Sequence, residues 1–209
     1  MRWGRRRDPD IPVSDLRLLA VDIETTGLDP RHDRIVAIAW VPVDGLTIRL
    51  SGARRLVVAG EGGVGESATV HGLTDDVVAK GVPLTEALDE LLAALTGRVL
   101  LAHHVSIEIG FLAAACAGRG DAPFVGPRVD TLELQRRVLA GALGTGLEPR
   151  PGELRLWASR ERYGLPRYQP HDPLADALGC AELYLAQMAE LAERTSRPLT
   201  LRRIRASTG

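Results

Sequence analysis

The alternation of apolar and polar positions divides the chain into a strand-rich front and a helix-rich remainder. Leu16–Ile23 reads as a buried strand and Arg34–Val43 as a second, with the turn-forming residues of GLDPRHD between them. Leu46–Val58 alternates as a third strand and follows the second through a tight VDGL turn, so the three form an antiparallel meander. From Pro83 the apolar period changes. Leu84, Leu88, Leu91, Leu92 and Leu95 recur at helical spacing, and Gly97 suits the C-terminal cap. RVLLAHH reads as a short buried strand, and Ser106–Ala117 as a helix. PRVDTLELQRRVLAG starts as a strand and continues as a helix. After the loop at Pro149–Gly152, ELRLWASRERYG is helical and stops at Gly164 and Pro166; a long helix follows from Pro173 to about Arg194. A meander followed by strands alternating with helices predicts one mixed α/β sheet covered by helices.

Composition adds limits. With 209 residues, 45% hydrophobic and 25% charged, the chain suits one globular domain, residues 15–194, between basic tails at 1–14 and 195–209. No apolar run has the length of a membrane span, and the basic start MRWGRRRDPD lacks the apolar stretch of a secretion signal. Cys116 and Cys180 fall in predicted helices without metal-ligand spacing, which fits a reducing cytoplasm. The net charge of −1 does not mark a nucleic-acid binder; arginines crowd both ends, a pattern equally expected of solvated tails. GEGGVGE is glycine-rich but lacks the Lys-Ser/Thr ending of a phosphate-binding loop, so it reads as a loop only.

The chemistry concentrates in three places. Asp22 and Glu24 are one residue apart at the end of the first strand, so both point to one face. Such carboxylates repel unless a proton or cation lies between them, and a hard divalent cation suits an oxygen-ligand site. The spacing alone is short and common, and fits a solvent-facing pair as well. In QPHDPLADALGCAEL, Asp172 is an N-cap and Pro173 the first helical residue, which puts His171 on the preceding loop and Asp176 in the first turn. A loop histidine suits proton transfer and a helix carboxylate suits metal ligation. In LLAHHVSIEIGFL, Glu108 stands at a helix start, where the helix dipole alone would favour it. His103 and His104 point to opposite faces, so at least one of them is expected to be structural.

LLAVDIETTGLDPRHDRIVAIAWVPV, VHGLTDD, LLAHHVSIEIGFL, VDTLELQRR and RYGLPRYQPHDPLADALGCAEL occur in the order and spacing of the DnaQ-like 3′–5′ exonucleases. The chain resembles this DEDDh group, which includes the proofreading subunit of the bacterial replicative polymerase, from Leu16 to Ala192. The resemblance implies a ribonuclease H-like mixed sheet of five strands, flanked by helices, with the second strand antiparallel to the others. It implies a two-metal site for Mg²⁺ or Mn²⁺ held by Asp22, Glu24, Glu108 and Asp176, with His171 as general base. Thr25 and Thr26 would approach the terminal nucleotide, and His71 would line the cleft. The family carries an aromatic residue and Asp where this chain has Ile107 and Glu108, so one carboxylate reaches a methylene further and a stacking surface is lost. The expected activity is hydrolysis of single-stranded or frayed DNA 3′ ends to nucleoside monophosphates, by a stand-alone repair or turnover enzyme. An RNA-trimming exoribonuclease and a catalytically weak nucleic-acid-binding module are the alternatives.

Overall fold

The computed structural model describes residues 8–60, 74–121, 126–143 and 149–206. Its sheet contains β1 (Arg17–Thr25), β2 (Ile35–Asp44), β3 (Thr47–Ile48), β4 (Arg54–Val57), β5 (Val99–Ala102) and β6 (Arg128–Asp130). The order is β3-β2-β1-β5-β6, with β4 also paired to β2. Because β1 lines one edge of β2 along its length, β3 and β4 share the other edge as two pieces of one position. A 3₁₀ turn at Leu50–Gly52 separates them, which breaks the third predicted strand in the middle. The sheet therefore has five positions. β2 runs antiparallel to its neighbours, while β1, β5 and β6 are parallel.

Helices cover both faces, so the central strands are apolar on both sides. Leu19, Val21 and Ile23 of β1 pack with Leu88, Leu91, Leu92 and Leu95 of α2 (Leu84–Leu95), after the short α1 (Asp75–Val78). Phe111, Leu112 and Cys116 of α3 (Ser106–Gly118) complete that core. Leu18 and Ala20 point the other way, against Leu134 of α4 (Thr131–Leu143). They also meet Ala177, Cys180, Ala181 and Tyr184 of the long helix α6 (Pro173–Glu193), which follows α5 (Leu156–Arg162). Fully burying one such leucine contributes about 1.5–3 kcal/mol.

Beyond Glu193 the chain turns back onto this second core. Leu201 and Ile204 of α7 (Leu201–Ile204) are buried in it. Thr200 bridges to Pro12, Arg202 pairs with Asp10, and the Ala206 amide donates to the Arg128 carbonyl at 2.9 Å. The two ends of the described chain thus close on each other beside β6. Among the described residues, no helix is long and apolar enough to cross a membrane.

Candidate metal and active centre

Strand alternation places the first two carboxylates. Asp22 and Glu24 continue the face of Leu18 and Ala20, the face on which α6 lies. The β1–β2 register slips between Glu24 and Thr25, where the strand leaves the sheet. The Thr25 hydroxyl then donates to the Gly27 carbonyl at 2.5 Å. That of Thr26 donates to Asp33 Oδ1 and accepts from the Arg34 amide, both at 3.1 Å. A Cβ on Gly27 would stand 2.5 Å from the Asp33 carboxylate and would push it off its bonds to Thr26 and Asp29. Both threonines therefore sit next to the carboxylates with their hydroxyls engaged in shaping the turn. His71 lies outside the described residues.

The start of α6 brings in the second pair. Asp172 Oδ1 accepts from the Leu174 and Ala175 amides at 3.0 Å, and Pro173 follows as the first helical residue. His171 just before it has φ 63°, a left-handed conformation that costs a non-glycine residue energy and is held here by its amide donating to Asp176 Oδ2 at 3.1 Å. Asp176 thus fixes the backbone of the exposed histidine. Ligand atoms of Glu24, His171 and Asp176 all lie within 4.8 Å of one another.

Glu108 arrives from the opposite side, in the first turn of α3 and 4% exposed. The turn before it is fixed by Asp130 at the end of β6. One carboxylate oxygen accepts from the His104 and Leu132 amides at 2.9 Å, and the other accepts from the Val105 amide at 3.1 Å. These bonds hold His104 at φ 74°. His103 is the structural histidine of the two, its ring nitrogens 2.8 Å from the Thr131 hydroxyl and the Leu154 carbonyl. Burial lowers its pKa to about 4.

The electrostatics join the four acids. Burial raises the Asp22 carboxyl well above its usual range, and the charges of Glu108, Asp176 and Glu24 raise it further. Burial and the nearby Asp176 push Glu24 up to about 8. Glu108 is pushed to about 8, chiefly by burial, and Asp176 to about 6 for the same reason. Two buried oxygens of this group, Glu108 Oε2 and Asp176 Oδ1, have no hydrogen-bond partner. Crowded carboxylates with orphaned oxygens fit a hard divalent cation, which would relieve the repulsion and supply the missing partners.

Three supporting residues escape sequence reasoning. Asp130 carried a signal, since Asp before Thr131 at a helix start suits a cap, but its bonds to His104 and Val105 are 25 or more positions away. Arg160 is 1% exposed and donates at 2.7 Å to the carbonyls of Gly179 and Pro166 and to Glu182. Its guanidinium lies 5.0 Å from the ring centres of Trp157 and Tyr168, and Tyr168 also donates to Glu182. This clamp anchors the segment that leads to His171. Arg55 of β4 pairs with Asp172 at 3.2 Å. Nothing local in the sequence marks either arginine.

The RNase_T family, described as Exonuclease, matches residues 19–184. DNA polymerase III PolC-type of Halalkalibacterium halodurans is 34% identical over 127 residues, which cover 60% of this chain and 9% of that protein. The chain spans about a tenth of the length of the curated relatives it matches. Among solved structures, the nuclease domain of 3′hExo, a DEDDh family member bound to rAMP, superposes with a TM-score of 0.67 at 16% identity, covering 88% of this chain and 97% of that one. E. coli Exonuclease I in complex with a dT13 oligonucleotide gives 0.70 at 17% identity, covering 86% of this chain and 41% of the other. These two likenesses establish the ribonuclease H-like fold.

Proposed function

The chain belongs to the RNase_T exonuclease family, the DnaQ-like 3′–5′ exonucleases, and on that premise we propose that it hydrolyses nucleic-acid 3′ ends, releasing nucleoside monophosphates. The observation that carries this reading is the convergence of Asp22, Glu24, Glu108 and Asp176, with two orphaned oxygens among them, beside His171. Asp22, Glu24, Glu108 and Asp176 would hold Mg²⁺ or Mn²⁺. Bound there, the cations supply Lewis-acid stabilisation of charge on the phosphate and lower the pKa of water.

The remaining work falls to the chain. His171 sits on an exposed loop against Asp176, where its ring can accept the proton of the water that attacks phosphorus. The bond to the 3′ oxygen of the preceding nucleotide breaks, leaving a 3′ hydroxyl on the shortened strand and a 5′-monophosphate as product. Asp176 orients His171 through its amide, while Arg160 and Tyr168 hold the approach to that loop. Asp130 sets the turn that aims Glu108. Burial of Glu108 and its influence on Asp22 support a ligand role, and count against the alternative of a binding module that has lost its site.

Single-stranded DNA is the substrate we favour, because a paired terminus must fray to reach the strand-tip carboxylates. The bound ligands of the structural neighbours, rAMP in one and dT13 in another, include both sugars, so RNA is the competing substrate. The buried free thiols of Cys116 and Cys180 suit a reducing compartment such as the cytoplasm. The deciding experiment is a gel time course on DNA and RNA oligomers with free and blocked 3′ ends. Stepwise shortening of free-ended DNA, with blocked ends resistant, is expected. Internal cleavage of blocked oligomers would contradict the proposal.

A further inference from the structure

The β-sheet register aligns Asp22 of β1, Ala39 of β2 and Arg55 of β4 in one lateral row. Directly opposed residues project to the same face, so Arg55 shares the face of Asp22 and Glu24 with only a methyl group between the strands. Its side chain is 37% exposed and meets Asp172 Oδ2 at 3.2 Å. The other oxygen of Asp172, Oδ1, carries the α6 cap. Arg55 can therefore leave Asp172 without uncapping the helix that holds His171 and Asp176.

An arginine in this place has a use that the carboxylates cannot provide. Without cations the acidic cleft repels a polyanion, whereas Arg55 presents a planar cation at its rim whether or not metal is bound. An ion pair about one-third exposed on each side is held weakly and exchanges readily. A phosphate offers the guanidinium two charged oxygens in matching geometry. Arg160 is different: it is buried, with two carbonyls and a carboxylate as acceptors, and is not available to a ligand.

We infer that Arg55 binds a backbone phosphate of the nucleic-acid strand, exchanging Asp172 for that phosphate when substrate enters. The inference rests on the reading of the cleft as a 3′-end hydrolase and names a substrate-binding residue for it. Arg55 supplies one phosphate contact that is independent of base and sugar.

The test is fluorescence anisotropy with a labelled single-stranded DNA whose 3′-terminal phosphorothioate linkages slow hydrolysis, in magnesium, across a salt series. Wild type, Arg55→Gln and Arg55→Lys are compared, with thermal melting alongside. Arg55→Gln should raise Kd on the order of tenfold at low salt and reduce the slope of log Kd against log salt by about 0.7, the loss of one single-strand phosphate contact. Arg55→Lys should keep the slope. Equal Kd and slope for wild type and Arg55→Gln would overturn the inference, as would weaker binding with an unchanged slope and a lowered Tm, which marks a structural role. Should wild type itself neither bind nor shorten the oligomer, the 3′-end reading fails and this inference with it. If wild type binds and cleaves, only the Arg55 assignment is at stake.

Discussion

Replacing Glu108 with Gln keeps the shape of the side chain and removes a charge that the metal-free fold accommodates badly. Burial holds the Glu108 carboxyl near 8 against an ordinary 4.5, with the Asp130 charge adding to the effect. The folded protein therefore keeps a proton that the unfolded chain loses once the pH passes about 4.5. The folded state binds more protons in the window from there to about 8, so stability falls as pH rises through it. Each pH unit in the window adds ~1.4 kcal/mol. At pH 7, two and a half units above the ordinary value, Glu108 destabilises the metal-free fold by about 3 kcal/mol at most. For a chain of this size that corresponds to a Tm higher by roughly 6–12 °C in Glu108→Gln. The assay is thermal melting of both proteins in chelator, at steps from pH 4.5 to 8.5. The new amide adds a pH-independent offset, so the informative quantity is how the Tm difference grows with pH. It should widen steadily up to about pH 8 and then level. Saturating magnesium should narrow it, because cation binding relieves the wild-type carboxylate. Tm differences that stay constant across the whole range would show instead that Glu108 ionises normally in the fold.

Turnover of a single-stranded oligomer should fall about 10²-fold or more in Glu108→Ala, whereas Glu108→Asp, which restores the family's reach, should retain most activity or exceed wild type with an altered preference between magnesium and manganese. Equal cleavage by wild type and Glu108→Ala at every metal concentration would reduce Glu108 to a helix-start residue. Asp130→Ala should lower stability by about 3 kcal/mol in urea unfolding, because the His104, Val105 and Leu132 amides lose their acceptor together. An unchanged midpoint would show that the left-handed turn at His104 holds without it.

The legible parts of this protein are those encoded locally. The apolar run of Leu18–Val21 and the alternation after it put Asp22 and Glu24 on one face, and that face is where α6 lies. Asp172 and Pro173 mark the helix start, which places His171 before it and Asp176 within it. The third strand was legible as a position but not as a break. Alternation continues through Leu50–Gly52, where the chain turns to form two short strands on one edge. Arg160, Arg55 and Asp130 were illegible in their roles because each acts across tertiary distance. Arg160 looks like a surface arginine of α5, as Arg162 does, until α6, with Gly179 leaving room for its guanidinium, closes over it. The place of Arg55 depends on a register through two strands. Arg194, Arg197, Arg202, Arg203 and Arg205 make the end of the chain look like a basic tail, a pattern that gives no weight to Leu201 and Ile204, which are buried among them.

The claim on which the rest depends is that the strand-tip carboxylates act by holding divalent cations. Hydrolysis of a single-stranded oligomer by wild type and Asp22→Asn, followed over a magnesium and manganese titration that starts in excess chelator, bears on it without intermediaries. Wild type should be inactive in chelator and recover as metal is added. Asp22→Asn should stay inactive at every concentration, yet melt no lower than metal-free wild type at pH 7, because the amide removes a carboxyl that burial and its acidic neighbours already drive toward protonation. Undiminished hydrolysis by wild type in excess chelator, or wild-type rates from Asp22→Asn, would contradict the account.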